Sequence, residues 1–167
     1  MAYTSVLPQV GLQPIGAISA SPVYSGGKII RAIDPLYGEG EFIYLQGAAA
    51  TAVGSLVTWG GQVAGVPTFQ TTILPSTANQ GCHIAVATSA CLATQWGWYQ
   101  IGGVAIAAAV TFAAAGIAYI GAAGQAISTA APGKQILGAT GISAVGTPAA
   151  GQVLLQINRP HAQGAIT

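Results

Sequence analysis

The sequence predicts an all-β domain, a β-sandwich or small β-barrel of about eight short strands with an extended N-terminal arm. Three observations predict it. Apolar residues alternate with a two-residue period in segment after segment. Glycine or proline punctuates nearly every such segment. No stretch shows the apolar spacing of an amphipathic helix. The chain divides into an arm over residues 1–36, one β domain over 37–161 and a tail over 162–167. Its 167 residues suit a single domain with a substantial core.

The arm is rich in Pro, Gly and Ser, and prolines 8, 14, 22 and 35 block helix and central strand alike. Its apolar residues Leu7, Val10, Leu12 and Ile15 predict that it lies on a surface, that of a neighbouring subunit. One short strand is expected at 28–33. The acidic turn Gly38-Glu39-Gly40-Glu41 then leads into a strand at 41–46. A second strand is expected at 51–58, ending at Trp59 and a Gly60-Gly61 turn. Residues 67–74 lie between Pro67 and Pro75 and predict an edge strand. Residues 83–89 alternate Ile84 and Val86 against Ala85 and Ala87.

The long apolar stretch 94–113 is the predicted centre. Val104, Ile106 and Val110 share one parity, and Ala105, Ala107 and Ala109 share the other. A strand would therefore have one bulky face and one small face. Its opening Trp96-Gly97-Trp98-Tyr99 suits a pleated surface, and Gly102-Gly103 predicts a bulge or bend. The alanines of 104–115 also favour a helix intrinsically, the one helical rival in the chain. Further strands follow at 116–121 and 151–158, the last with Val153, Leu155 and Ile157 on one face, and the Gly-rich stretch 135–145 reads as a strand or a loop. Arg159-Pro160-His161 closes the domain, and Arg159 and His161 join the arm as expected contact residues.

Charged side chains make up 4% of the chain, against roughly 25% in ordinary soluble domains. They are Lys28, Arg31, Asp34, Glu39, Glu41, Lys134 and Arg159, and none falls within 42–133. So few charges predict a surface covered by other subunits or coated with uncharged polar groups. A net charge of +1 gives no electrostatic footprint for nucleic acid. Residues 101–127 are uncharged and long enough to cross a bilayer as a helix. Five glycines, the alanine bias and the lack of flanking Lys or Arg argue against a membrane span. The first residues lack the basic and apolar regions of a secretory signal.

Cys82 and Cys91 are expected to be reduced, small, buried residues. No metal site is expected, because a second cysteine pair is absent and His83 stands alone beside them. Glu39 and Glu41 read as a polar turn, with no base or nucleophile to make them catalytic. Glycine motifs are plentiful, yet none has the lysine or the strand–helix setting of a phosphate loop. The expectation is a non-enzyme without cofactors.

Four stretches carry a family resemblance. They are Ala32-Ile33-Asp34-Pro35-Leu36-Tyr37-Gly38-Glu39-Gly40-Glu41-Phe42-Ile43-Tyr44-Leu45-Gln46-Gly47, followed by Ala52-Val53-Gly54-Ser55-Leu56-Val57-Thr58-Trp59, then Gln95-Trp96-Gly97-Trp98-Tyr99-Gln100-Ile101-Gly102-Gly103, then Gly151-Gln152-Val153-Leu154-Leu155-Gln156-Ile157-Asn158-Arg159-Pro160. Across residues 32–160 this order resembles head structural proteins of tailed bacteriophages, of the decoration or cement type. The resemblance implies a β-rich protein on the outer surface of the virion capsid. Such a protein binds across joints between major capsid protein subunits, as a dimer or trimer, and steadies the shell. The alternatives are another virion part (a shell subunit, tail tube or fibre protein) and a membrane-inserted β protein. Copy number per virion separates the first, and detergent partition the second.

Overall fold

The computed structural model describes residues 4–5, 12–63 and 66–165. Among them there is no helix, and twelve strands join into one mixed sheet. The strands are β1 (Thr4–Ser5), β2 (Ile18–Ser19), β3 (Ile29–Asp34), β4 (Gly38–Gln46), β5 (Leu56–Val63), β6 (Val66–Ile73), β7 (Ile84–Ala87), β8 (Trp96–Ala108), β9 (Gly116–Ile120), β10 (Ala126–Ile127), β11 (Gln135–Gly141) and β12 (Gln152–Ala162).

The pairings close two rings that share β8. In the first, the order β4-β6-β5-β7-β8 returns to β4 through an antiparallel β4–β8 ladder from Glu41 to Gln46. Alternation then sends one parity of each strand inward. Ile43, Leu45, Val57, Ala85, Ala87, Tyr99 and Ile101 fill the interior, and all are buried. In the second, the order β8-β12-β11-β9-β10 returns to β8 through a single bridge, Ala109 to Ala126. Its interior merges with the outer face of β5 and β7, where Leu56, Ile84 and Val86 meet Leu155, Ile157 and Ile120. A third cluster lies outside the first ring. There Phe42, Tyr44 and Trp98 are covered by Ile30 and Ala32 of β3 and by Ile15.

The central strand behaves as its sequence predicts at the bend. Glu41 pairs with Gly102 and Phe42 with Gln100, so Ile101 is the extra residue of a bulge. Gly103 there has φ +89°. The side-chain amide of Gln100, which is buried, donates to the carbonyls of Gly102 and Val104, both at 3.0 Å. It ties the two sides of the bulge together through one buried amide.

Of the two faces of β8, the small one points into the core: Ala105, Ala107 and Ala109 are buried, while Val104 and Ile106 are half-buried and Val110 is exposed. The reason lies across the strand pair. Val153 opposes Ala107 and Leu155 opposes Ala105, so large side chains of β12 interleave with small ones of β8 in the same layer.

Several expected boundaries move. Residues 51–55 are turns rather than strand, because Gly54 (φ +86°) must lie against β8; its carbonyl accepts from Ala108 N at 2.7 Å, and its N–H donates to Ala87 O at 2.8 Å. Gly60-Gly61 is no turn, since β5 continues past Trp59 through a bulge to Val63. Strand β6 is not a sheet edge. It pairs with β5 along its length and meets β4 at Gln46–Gln70, where Thr71 Oγ1 donates to Gln46 O at 2.9 Å. Strand β8 ends at Ala108, and Phe112 turns back into the core over Gly141. The last strand passes the expected end at Asn158 and runs to Ala162.

Candidate functional site

Seven charges are all that this chain has, and the fold disposes of most of them. Asp34 is 3% exposed, and its Oδ1 accepts from the backbone N–H of Leu36 at 2.8 Å and of Tyr37 at 3.0 Å, which builds the β3–β4 turn. The Lys28 ammonium lies 4.5 Å from the centre of the Tyr24 ring. Four of the others meet in one place.

That place is a cleft of about 470 Å³ between the β3–β4 hairpin, the bulge of β8 and the end of β12. Arg31 NH1 lies 3.3 Å from Glu39 Oε1. Arg159 grips Glu41 with two parallel bonds, Nε to Oε2 at 3.0 Å and NH2 to Oε1 at 3.1 Å. The Arg159 hydrogen bond, with the charges of Arg159 and Arg31, holds the Glu41 carboxyl below its ordinary pKa against a smaller opposing effect of burial. The same bond raises the Arg159 guanidinium. Gln156 and Asn158 of β12 add uncharged donors and acceptors to the wall.

Local backbone geometry makes this meeting possible. Arg159 has φ +43°, an uncommon conformation for a residue with a side chain. Beside it the register of β11 against β12 slips between Leu137 and Ala139. The slip turns Asn158 and Arg159 to the same exposed side while Ile157 and Pro160 stay buried. On the opposite wall Gly103 has no Cβ, and one placed there would sit 2.3 Å from Glu39 O. Glycine is what lets the acidic hairpin lie against β8.

Arg159 also lines a second, more apolar hollow of about 310 Å³, with Trp59, Ile29, Ile43, Pro160 and both histidines. His83 and His161 face each other across an antiparallel bridge, and the His83 ring lies 5.6 Å from that of Trp59. Arg159 lines both hollows.

The contact residues expected from sequence scatter. Leu7 and Val10 lie outside the described residues. Ile15 is 5% exposed and Leu12 is half-buried, both against the Phe42–Tyr44–Trp98 cluster. Thr88 Oγ1 ties the segment down by donating to Ile15 O at 3.0 Å. This part of the arm therefore packs on its own domain. Arg159 and His161 do come together, in the second hollow. Sequence reasoning read Glu41 as a turn residue. Its partner is 118 positions away, and no local pattern announces it.

Of the other reactive groups, Cys91 and Tyr99 are enclosed and Cys82 is half-buried. Both cysteines are free thiols. Burial raises the Cys91 thiol, and burial together with Cys91 raises the neighbouring Tyr99 phenol. Among the described residues no group of three or more His, Cys, Asp or Glu is placed to hold a metal ion, and no helix is long and apolar enough to cross a membrane.

No protein-family model, curated protein or solved structure matches this chain.

Proposed function

We propose that this chain is a structural virion protein of the capsid decoration or cement type. It binds the outside of a phage capsid as a dimer or trimer and stabilises the shell by bridging major capsid subunits. One observation supports the assembling role above the others. Six of the seven charges are paired within the cleft or used within the fold, while large apolar side chains stand exposed elsewhere. Leu36 in the β3–β4 turn is 77% exposed and Ile33 beside it 44%. On the second ring, Ile117 of β9 is 50% exposed and Ile142 just after β11 is 49%. Single exposed apolar residues are ordinary. What is unusual is that they lie on a surface with so little charge to hold water and discourage association. Exposed apolar side chains on both rings suit a protein that touches more than one shell subunit. The capsid itself comes from the resemblance over residues 32–160.

The test is cosedimentation of the purified protein with expanded capsids that lack it, scored as copies per shell. Saturable binding at a stoichiometry matched to the lattice is expected. Absence of binding, with the protein in a tail or detergent fraction instead, overturns the proposal. Leu36→Glu sharpens the experiment, because a charge at that position should lower occupancy while leaving the melting temperature unchanged.

A further inference from the structure

We propose that the two hollows lined by Arg159 form a binding site for a neutral saccharide. The inference is independent of the capsid reading and rests on the chemistry of the walls. The polar cleft holds two positive and two negative groups, already matched as Arg31–Glu39 and Arg159–Glu41. An anionic ligand would have to compete with Glu41 for Arg159, and a cation would have to compete with Arg159 for Glu41. A neutral polyhydroxylated ligand needs neither exchange. The two-bond Arg159–Glu41 pair sets donors beside acceptors in one plane, and Arg31 and Glu39 add a donor and an acceptor nearby. Adjacent sugar hydroxyls, each able to donate and accept, complement that edge, and the amides of Gln156 and Asn158 extend it.

The neighbouring hollow supplies the other half of such a site. Trp59, Ile29 and Pro160 give it an apolar lining. A sugar ring has an apolar C–H face that an indole ring covers well. Volumes of about 470 and 310 Å³ fall in the range of small-ligand clefts. The side chains of Arg31 and Arg159 are 67% and 66% exposed, so the site is shallow and open, and weak binding of a short oligosaccharide is the expected mode. The strained backbone at Arg159, φ +43°, belongs to the residue that lines both hollows.

The experiment begins with the full chain on a printed array of neutral, sialylated and sulfated glycans. The best neutral glycan is then titrated by calorimetry and tryptophan fluorescence at about 50 and about 500 mM salt. The proposal expects a neutral binder whose affinity is flat across that range. It expects Trp59→Ala, Glu41→Gln and Asn158→Ala each to weaken binding, with Glu41→Gln costing about tenfold as a charged hydrogen-bond acceptor is lost. Near-UV circular dichroism confirms that each variant is folded, and Asn158→Ala removes an exposed side chain outside both ion pairs. An array with no binder overturns the proposal. So does binding confined to anionic glycans that falls with salt, or binding that all three variants leave intact. Cosedimentation of Trp59→Ala with capsids is scored separately, so the two readings fail independently.

Discussion

Replacing Gly103 with alanine isolates the close approach that brings the acidic hairpin onto β8. The new Cβ would sit 2.3 Å from Glu39 O and 3.0 Å from Gly40 Cα, both backbone atoms that no side-chain rotation can move away. At φ +89° the substitution also carries backbone strain of about 1–2 kcal/mol. Overpacking adds roughly 1–3 kcal/mol, because β4 must shift away from β8. The sum is about 3 kcal/mol, and at this chain length it lowers Tm by roughly 6–12 °C. Gly38→Ala is the internal control. Its φ is +79°, yet nothing lies within 4 Å of the added Cβ. It should show only the strain, a Tm loss of about 2–8 °C. Paired thermal melts by circular dichroism read both. Equal losses in the two variants would refute the reasoning, because the contact with Glu39 would then count for nothing.

The remaining predictions concern single side chains. Ile15→Ala should destabilise by about 3 kcal/mol in urea unfolding, as for a core residue, and a loss near zero would return the segment to the role of a free arm. Glu41 has a lowered pKa in the folded protein, so its pair with Arg159 stabilises above the ordinary carboxylate value of 4.5 and fades as pH falls through the lowered one. The Tm gap between wild type and Glu41→Gln should accordingly close on acidification; a gap independent of pH counts against the pairing. Under native conditions a thiol reagent should modify half-exposed Cys82 quickly and buried Cys91 only as the protein opens, giving two phases where equal reactivity would give one.

Most strands could be read from the chain because alternation is a local signal. Val153, Leu155 and Ile157 are buried as their parity predicts. The Gly102-Gly103 bend was equally legible, since paired glycines in an apolar strand have few other uses. Errors arose where a residue answers to something distant. Gly54 looks like strand interior until β8 passes over it, and Pro67 looks like an edge marker until β6 is seen joining the ring. The alternation of sizes on β8 revealed two faces but not which one is inside, because that depends on what β12 brings to the same layer. For the site, Arg159 and His161 were visible as a terminal cluster. Their companions Glu41 and Trp59 come from β4 and β5, and His83 from the bridge just before β7; only the closure of the sheet assembles them. The apolar residues of the arm signalled burial correctly at Ile15, but apolarity alone does not say whose surface does the burying.

Sharing β8 between two rings has a consequence for how the molecule comes apart. Trp96 to Gln100 is held by β4 and in part by β7, and Gly102 to Ala108 by β12. Neither ring can lose this strand without opening the other, so the two halves should melt in one cooperative transition rather than as separate units. Amide hydrogens along β8 should accordingly be the slowest to exchange, on both sides of the bulge and at similar rates, reporting the global opening of the chain. The closures at Gln46–Gln70 and Ala109–Ala126 each rest on one residue pair, and those seams are where exchange should begin.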